Sequence, residues 1–235
     1  MSKQAEVNGR SKRIVPGLSD EEFERGDVPM TKEEIRCLTL SKLKLEEGNR
    51  VLDIGAGSGG LTVECALLLE RAEIEAGGEA KRDSGRDLIN SGVKESSTKS
   101  GEVVAVECDP EAAALVRANL ENFNLQNVTV IEGKAPAALD GLGSFDRVII
   151  GGSGGNLEEI IDRVFELLVP GGVLVLNCIL LQTLSESLNL LEKRGFSDIS
   201  FIQAAISRSR KMGSGTALQP LNPVFIVSAV KGASK

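Results

Sequence analysis

The chain has no histidine, no tryptophan and no tyrosine, and only seven phenylalanines among 235 residues. These absences exclude Ser-His-Asp triads, Cys-His pairs, His-based zinc sites and imidazole acid–base catalysis, and no metal site is expected. So few aromatics argue against a base-stacking platform for single-stranded nucleic acid. Positive charge is also in the minority: 27 Lys+Arg stand against 34 Asp+Glu, a formal charge of −7. A broad phosphate-contacting face needs the opposite balance, so no nucleic-acid partner is expected. No apolar run approaches the roughly 20 residues that span a bilayer, and the opening MSKQAEVNGRSKR does not read as a signal peptide. No membrane association is expected, and a cytoplasmic location is. Cys37, Cys65, Cys108 and Cys178 lie far apart with no C-x-x-C, the usage of reduced thiols. Chemistry must then rest on carboxylates, Lys/Arg, hydroxyls, thiols, backbone groups or a bound cofactor.

What is present has a rhythm. Residues 1–15 read as a mobile polar tail, and 16–235 as one domain. Thr31-Lys32-Glu33-Glu34 reads as a capping box opening a helix that Gly48 stops. Short apolar strands follow at Arg50–Ile54, Glu102–Glu107, Val128–Glu132, Arg147–Ile150 and Val173–Asn177. Helices fall between them at Gly59–Arg71, from the Asp109-Pro110 cap onward, and at Asn156–Leu168, with another at Leu184–Lys193. That alternation predicts an α/β doubly wound, mostly parallel sheet. Asp198–Ile206 and Pro223–Val230 read as an antiparallel C-terminal hairpin with Gly213-Ser214-Gly215 between its strands. Residues 72–101, with mixed charge, five Gly and five Ser, read as a largely flexible surface insertion.

The chemistry concentrates in Val51-Leu52-Asp53-Ile54-Gly55-Ala56-Gly57-Ser58-Gly59-Gly60, between the first strand and a helix. Gly55, Gly57 and Gly60 satisfy the dinucleotide fingerprint, while Gly55, Gly57 and Gly59 satisfy the G-x-G-x-G of S-adenosylmethionine (SAM) enzymes. Asp53 separates the two readings: its carboxylate attracts the ammonium of a methionine moiety and would oppose a pyrophosphate. Glu107, ending the second strand, is suited to two ribose hydroxyls under either reading. Glu132-Gly133-Lys134-Ala135-Pro136 supplies backbone groups for an adenine edge. With Pro170-Gly171-Gly172 before the fifth strand, these motifs resemble, in order, those of class I SAM-dependent methyltransferases with their Rossmann-like fold.

A narrower resemblance rests on Gly17-Leu18-Ser19-Asp20-Glu21-Glu22-Phe23, Val28-Pro29-Met30-Thr31-Lys32-Glu33-Glu34-Ile35-Arg36, Gly151-Gly152-Ser153-Gly154-Gly155-Asn156-Leu157 and Asn222-Pro223. Over residues 16–231, apart from 72–101, the chain resembles the precorrin C15-methyltransferase family, the decarboxylating methyltransferases of cobalamin biosynthesis. The resemblance implies SAM-dependent methylation of carbon 15 of a cobalt-precorrin with loss of the ring C acetate as carbon dioxide. It implies cofactor contacts at Thr31, Gly55, Ala56, Gly57, Ser58, Gly59, Glu107 and Ala135, and a homotetramer. Its substrate is an anionic tetrapyrrole, which an acidic chain must meet with local positive charge. Arg208, Arg210 and Lys211 form the densest such cluster. Gly151, Gly152, Ser153, Gly154 and Gly155 sit where α/β sheets place substrate, and their backbone N–H groups suit a carboxylate. The alternatives are a SAM methyltransferase acting on tRNA or isoaspartyl groups, an NAD-dependent oxidoreductase, or a non-catalytic SAM-binding module.

Overall fold

Val/Ile/Leu runs without polar alternation belong to strands covered on both faces, and helices must supply that cover. The computed structural model describes residues 16–79 and 101–232. Strands β1 (Arg50–Ile54), β2 (Glu102–Glu107), β3 (Val128–Glu132), β4 (Phe145–Ile150) and β5 (Leu168–Cys178) are paired in parallel. Helices α1 (Glu33–Leu43), α2 (Gly60–Glu79), α3 (Pro110–Phe123), α4 (Leu157–Leu167) and α5 (Leu181–Arg194) cover them. Leu52, Ile54, Val148, Ile150, Leu174 and Leu176 pack on the side of α4 and α5. Val51, Ile149, Val173 and Val175 pack on the side of α1, α2 and α3. Burial of each such side chain stabilises the fold by about 1.5–3 kcal/mol.

The main sheet runs β3-β2-β1-β4-β5-β9-β6, with β6 (Phe196–Ala204) and β9 (Val224–Lys231) antiparallel. This is the class I methyltransferase arrangement expected above. The strand order reverses between β1 and β4, which opens a crevice at their carboxyl ends.

One local expectation gains detail and two need correction. The strands read as one terminal hairpin do pair, as β6 and β9, but β9 lies between β5 and β6. The residues joining them form their own two-stranded sheet, β7 (Ser207–Met212) with β8 (Gly215–Pro220). Ser207-Arg208-Ser209-Arg210-Lys211 has no apolar face to bury in the main sheet, so it projects as a separate hairpin. Second, α2 continues to Glu79, into the segment read as a flexible insertion; 80–100 and the tail 1–15 lie outside the described residues. Third, α1 has no capping box. Its N-cap is Lys32, without a side-chain cap, and it ends at Lys44 in the left-handed region (φ 52°) rather than at Gly48. Asp20 takes over the capping: its Oδ1 accepts the Glu33 N–H at 2.9 Å. Glu34 turns instead to Arg208, a charge-assisted pair stronger than a bond to a backbone amide. The reciprocal box occurs earlier, between Ser19 and Glu22.

Candidate active site

Two loops meet at the crevice. After β1, the Gly55 N–H donates to the Val106 carbonyl at 2.8 Å; after β4, the Gly151 N–H donates to the Ile54 carbonyl at 2.8 Å. A Cβ on Gly55 (φ +71°) would lie 2.7 Å from the Gly152 nitrogen, so the loops approach backbone to backbone and only glycine fits. Together they shape two cavities. The larger, about 610 Å³, is lined by Thr31, Asp53, Gly55, Ala56, Gly57, Ser58, Gly151, Gly152 and Ser153. The smaller, about 280 Å³, is lined by Gly55, Gly57, Glu107, Ala135 and Gly151 to Gly154.

Two buried carboxylates stand at these cavities. Glu107 accepts the Gly57 N–H on Oε2 at 2.8 Å, and the N–H groups of Cys108 (2.8 Å) and Asp109 (3.0 Å) on Oε1. It therefore ties β2 to the glycine loop. Asp53, 1% exposed, accepts the Thr62 hydroxyl at 2.6 Å. Burial drives its pKa from 3.8 up to about 6, opposed by the Thr62 bond and assisted by the charge of Glu107. A negative pair of this kind suits a cationic ligand and opposes a pyrophosphate.

The opposite wall is built from charge. Arg36, fully buried, donates to Glu64 Oε1 at 2.7 Å, to Asp20 Oδ1 at 2.8 Å and to the Thr31 carbonyl at 2.6 Å, and also to the Leu18 carbonyl. Phe23 lies under its guanidinium, 4.8 Å from the ring centroid. Glu64 also accepts the Gly17 N–H at 3.0 Å. From the hairpin, Arg208 grips Glu34 with two bonds, at 2.8 and 2.6 Å, and Asp20 at 3.0 Å. For Asp20, burial pushes the pKa up, but the bonds from Arg36 and Arg208 prevail and hold it below the ordinary value. For Glu34, the Arg208 bonds are the main cause of a lowered pKa.

The cleft thus gathers most of the residues singled out from the sequence. Thr31 reaches it from the N-terminal segment. Gly59 lines neither cavity; it packs against Val116 of α3, so its place in the motif is structural here. Gly155 also lines neither cavity, and Arg208, Arg210 and Lys211 lie outside both linings. The rim also holds Met30, Lys32, Ile35 and Asn222, which stand in the quoted motifs without a site role there, and Asn177, Ile179 and Leu180, which the motifs did not indicate. The Arg36–Glu64 pair was also missed, although a lone Glu inside Leu61-Thr62-Val63-Glu64-Cys65-Ala66 was a usable signal.

Fold, switch-point cleft and paired carboxylates define a class I SAM-dependent methyltransferase architecture. A SAM-dependent O-methyltransferase structure from Thermotoga maritima shares that fold, with a TM-score of 0.64 at 19% identity over 88% of this chain and 68% of that one. The family model for the precorrin methyltransferase domain matches residues 21–97 and 92–231, and the chain belongs to that family. A Saccharolobus solfataricus protein named "Probable cobalt-precorrin-6B C(15)-methyltransferase (decarboxylating)" is 37% identical over 221 residues, 93% of this chain and 97% of that one. The crystal structure of precorrin-6y C5,15-methyltransferase from Geobacter metallireducens superposes with a TM-score of 0.75 at 34% identity, covering 92% of this chain and 98% of that one.

Proposed function

We propose that this chain methylates carbon 15 of a cobalt-precorrin from SAM, coupled to loss of the ring C acetate as carbon dioxide, in cobalamin biosynthesis. The observation that carries this reading is the cleft itself: two buried carboxylates beneath a glycine loop, in a chain matching a so-named relative over nearly its full length. When bound, SAM supplies a methyl group activated on a sulfonium. The chain's residues bind and orient. Asp53 accepts the ammonium, Glu107 the ribose hydroxyls, the Ala135 backbone the adenine edge, and the loop from Gly55 to Ser58 encloses the remainder. Asp53's preference for a proton falls once a cation sits beside it, so cofactor binding favours its ionised form.

Met30, Ile35, Ile179 and Leu180 offer apolar surface to the flat face of a macrocycle. Gly151, Gly152 and Ser153 bring backbone close to it. Arg210 and Lys211, exposed on the hairpin, draw the polycarboxylate toward the rim. The titratable side chains on the larger cavity are Lys32, Asp53 and Cys178, and burial pushes the Cys178 thiol to about 11. The protein's part is therefore alignment of an electron-rich carbon with the methyl donor, rather than proton transfer through a histidine.

The same reading makes the protein a cytoplasmic homotetramer. No described helix is long and apolar enough to cross a membrane. Met212, Leu218 and Phe201 are exposed, on the hairpin and on β6, where self-association would cover them. Incubation with cobalt-precorrin-6B and SAM tests the activity. One S-adenosylhomocysteine and one carbon dioxide per turnover are expected; release of neither, with SAM bound, overturns the reading.

A further inference from the structure

Carboxylates on the substrate need cations, and in this acidic chain the obvious one is already taken: Arg208 is matched by Glu34 and Asp20. Lys32 is not. It is half-buried at the start of α1, lines the larger cavity and has no acid partner among the described residues. Behind it lies a third cavity of about 320 Å³, lined by Arg25, Pro29, Met30, Lys32 and Ser58 among others, and by no acid. Pro29, Met30, Lys32 and Ser58 belong to both linings, so the third cavity opens beside the methyl-transfer cleft. Arg25, exposed, donates its Nε–H to the Asp20 carbonyl at 2.9 Å and has no carboxylate partner among the described residues.

Resting on the reading above, we infer that Lys32 and Arg25 form a carboxylate subsite that holds one acidic side chain of the tetrapyrrole and so sets which ring carbon faces the methyl donor. Two cations without an acid, in a protein of charge −7, create a local field opposite to that of the whole molecule. The apolar rim fits the ring, and the basic cavity beside it fits what projects from the ring's edge. Lys32 is the specificity-determining residue, and Arg25 supports it.

The test uses the full chain and separates substrate from cofactor. Cobalt-precorrin-6B binding is followed by its absorbance with no methyl donor present, and SAM binding by calorimetry. Lys32→Gln should weaken precorrin binding about tenfold and flatten its salt dependence, with SAM affinity within about twofold. Arg25→Gln should weaken it about threefold, and Lys32→Arg should restore most of the loss. In turnover, Lys32→Gln should raise KM and yield some product methylated at other carbons. Unchanged precorrin affinity in Lys32→Gln overturns the subsite. An equal loss of SAM affinity overturns it too, because the cavity then serves the cofactor's own carboxylate. If the wild-type chain binds no cobalt-precorrin at all, the parent reading fails and the subsite falls with it.

Discussion

The two walls of the cleft are made on different plans. One wall is the row of strand ends, β1, β2 and β4, whose loops are positioned by the parallel ladder and by backbone approaches such as Gly55 to Gly152. The other wall, Thr31 and the start of α1, hangs on a few buried charges: Arg36 with Glu64 and Asp20, braced from the hairpin by Arg208. A ladder shares its load over many amides, and loss of one side chain changes it little. A buried ion cluster concentrates it, because removing one member leaves the others charged and dry.

Mutation can break this contrast. The largest effect is expected from Arg36→Met, which strands Glu64 and leaves Asp20 with Arg208 alone: unfolding in urea should show a loss of about 3–5 kcal/mol. SAM affinity should fall with it, since Arg36 holds the Thr31 carbonyl. Retained stability would show that the second wall is no more dependent on single residues than the first.

Next comes Asp53. Its folded pKa, about 6, lies above the ordinary 3.8, so its contribution to stability is complete in acid and is lost as pH rises between those values. Asp53→Asn should be the more stable protein at pH 7, by on the order of 2–3 kcal/mol, and should converge with wild type below about pH 4. Calorimetry should show weaker SAM binding by the same variant. Stability gained and affinity lost together would mark Asp53 as a residue kept for its ligand.

Glu107→Ala should weaken SAM binding by about 1.5–3 kcal/mol, the scale for lost hydrogen bonds to a charged group. Unchanged affinity would remove Glu107 from the ribose. The smallest effect belongs to Arg208→Gln. Its pair with Glu34 is partly solvated, so stability should fall by about 1 kcal/mol or less. A melting temperature at the wild-type value with a raised precorrin KM would instead assign Arg208 to the substrate.

The same contrast explains what could be read from residues alone. The first wall is local in sequence: strand, glycine loop and helix follow one another, so Asp53, Gly55 and Glu107 were visible as motifs. The second wall joins residues 20, 36, 64 and 208, which no spacing rule connects. Thr31 and Glu34 satisfied a capping pattern, yet Asp20 and Arg208 offered stronger partners and the box did not form. Likewise Ser207 to Met212 showed its charge in the sequence but not that Arg208 would fold back on α1. Lys32 could not be singled out among so many lysines until the third cavity that it lines proved to include no acid.

The position of β9 has a further bearing, on how the molecule is made. The strand that pairs with both β5 and β6 follows both of them in the sequence. As the polypeptide leaves the ribosome, β1 to β5 can assemble with their helices, but β6 has no neighbour until residues 224–231 emerge. Until then the inner edge of β5 is bare, and so is one whole side of β6. A chain interrupted before residue 224, with nearly all of the described site residues already present, would therefore carry two open strand edges and be a substrate for aggregation or proteolysis rather than an active enzyme.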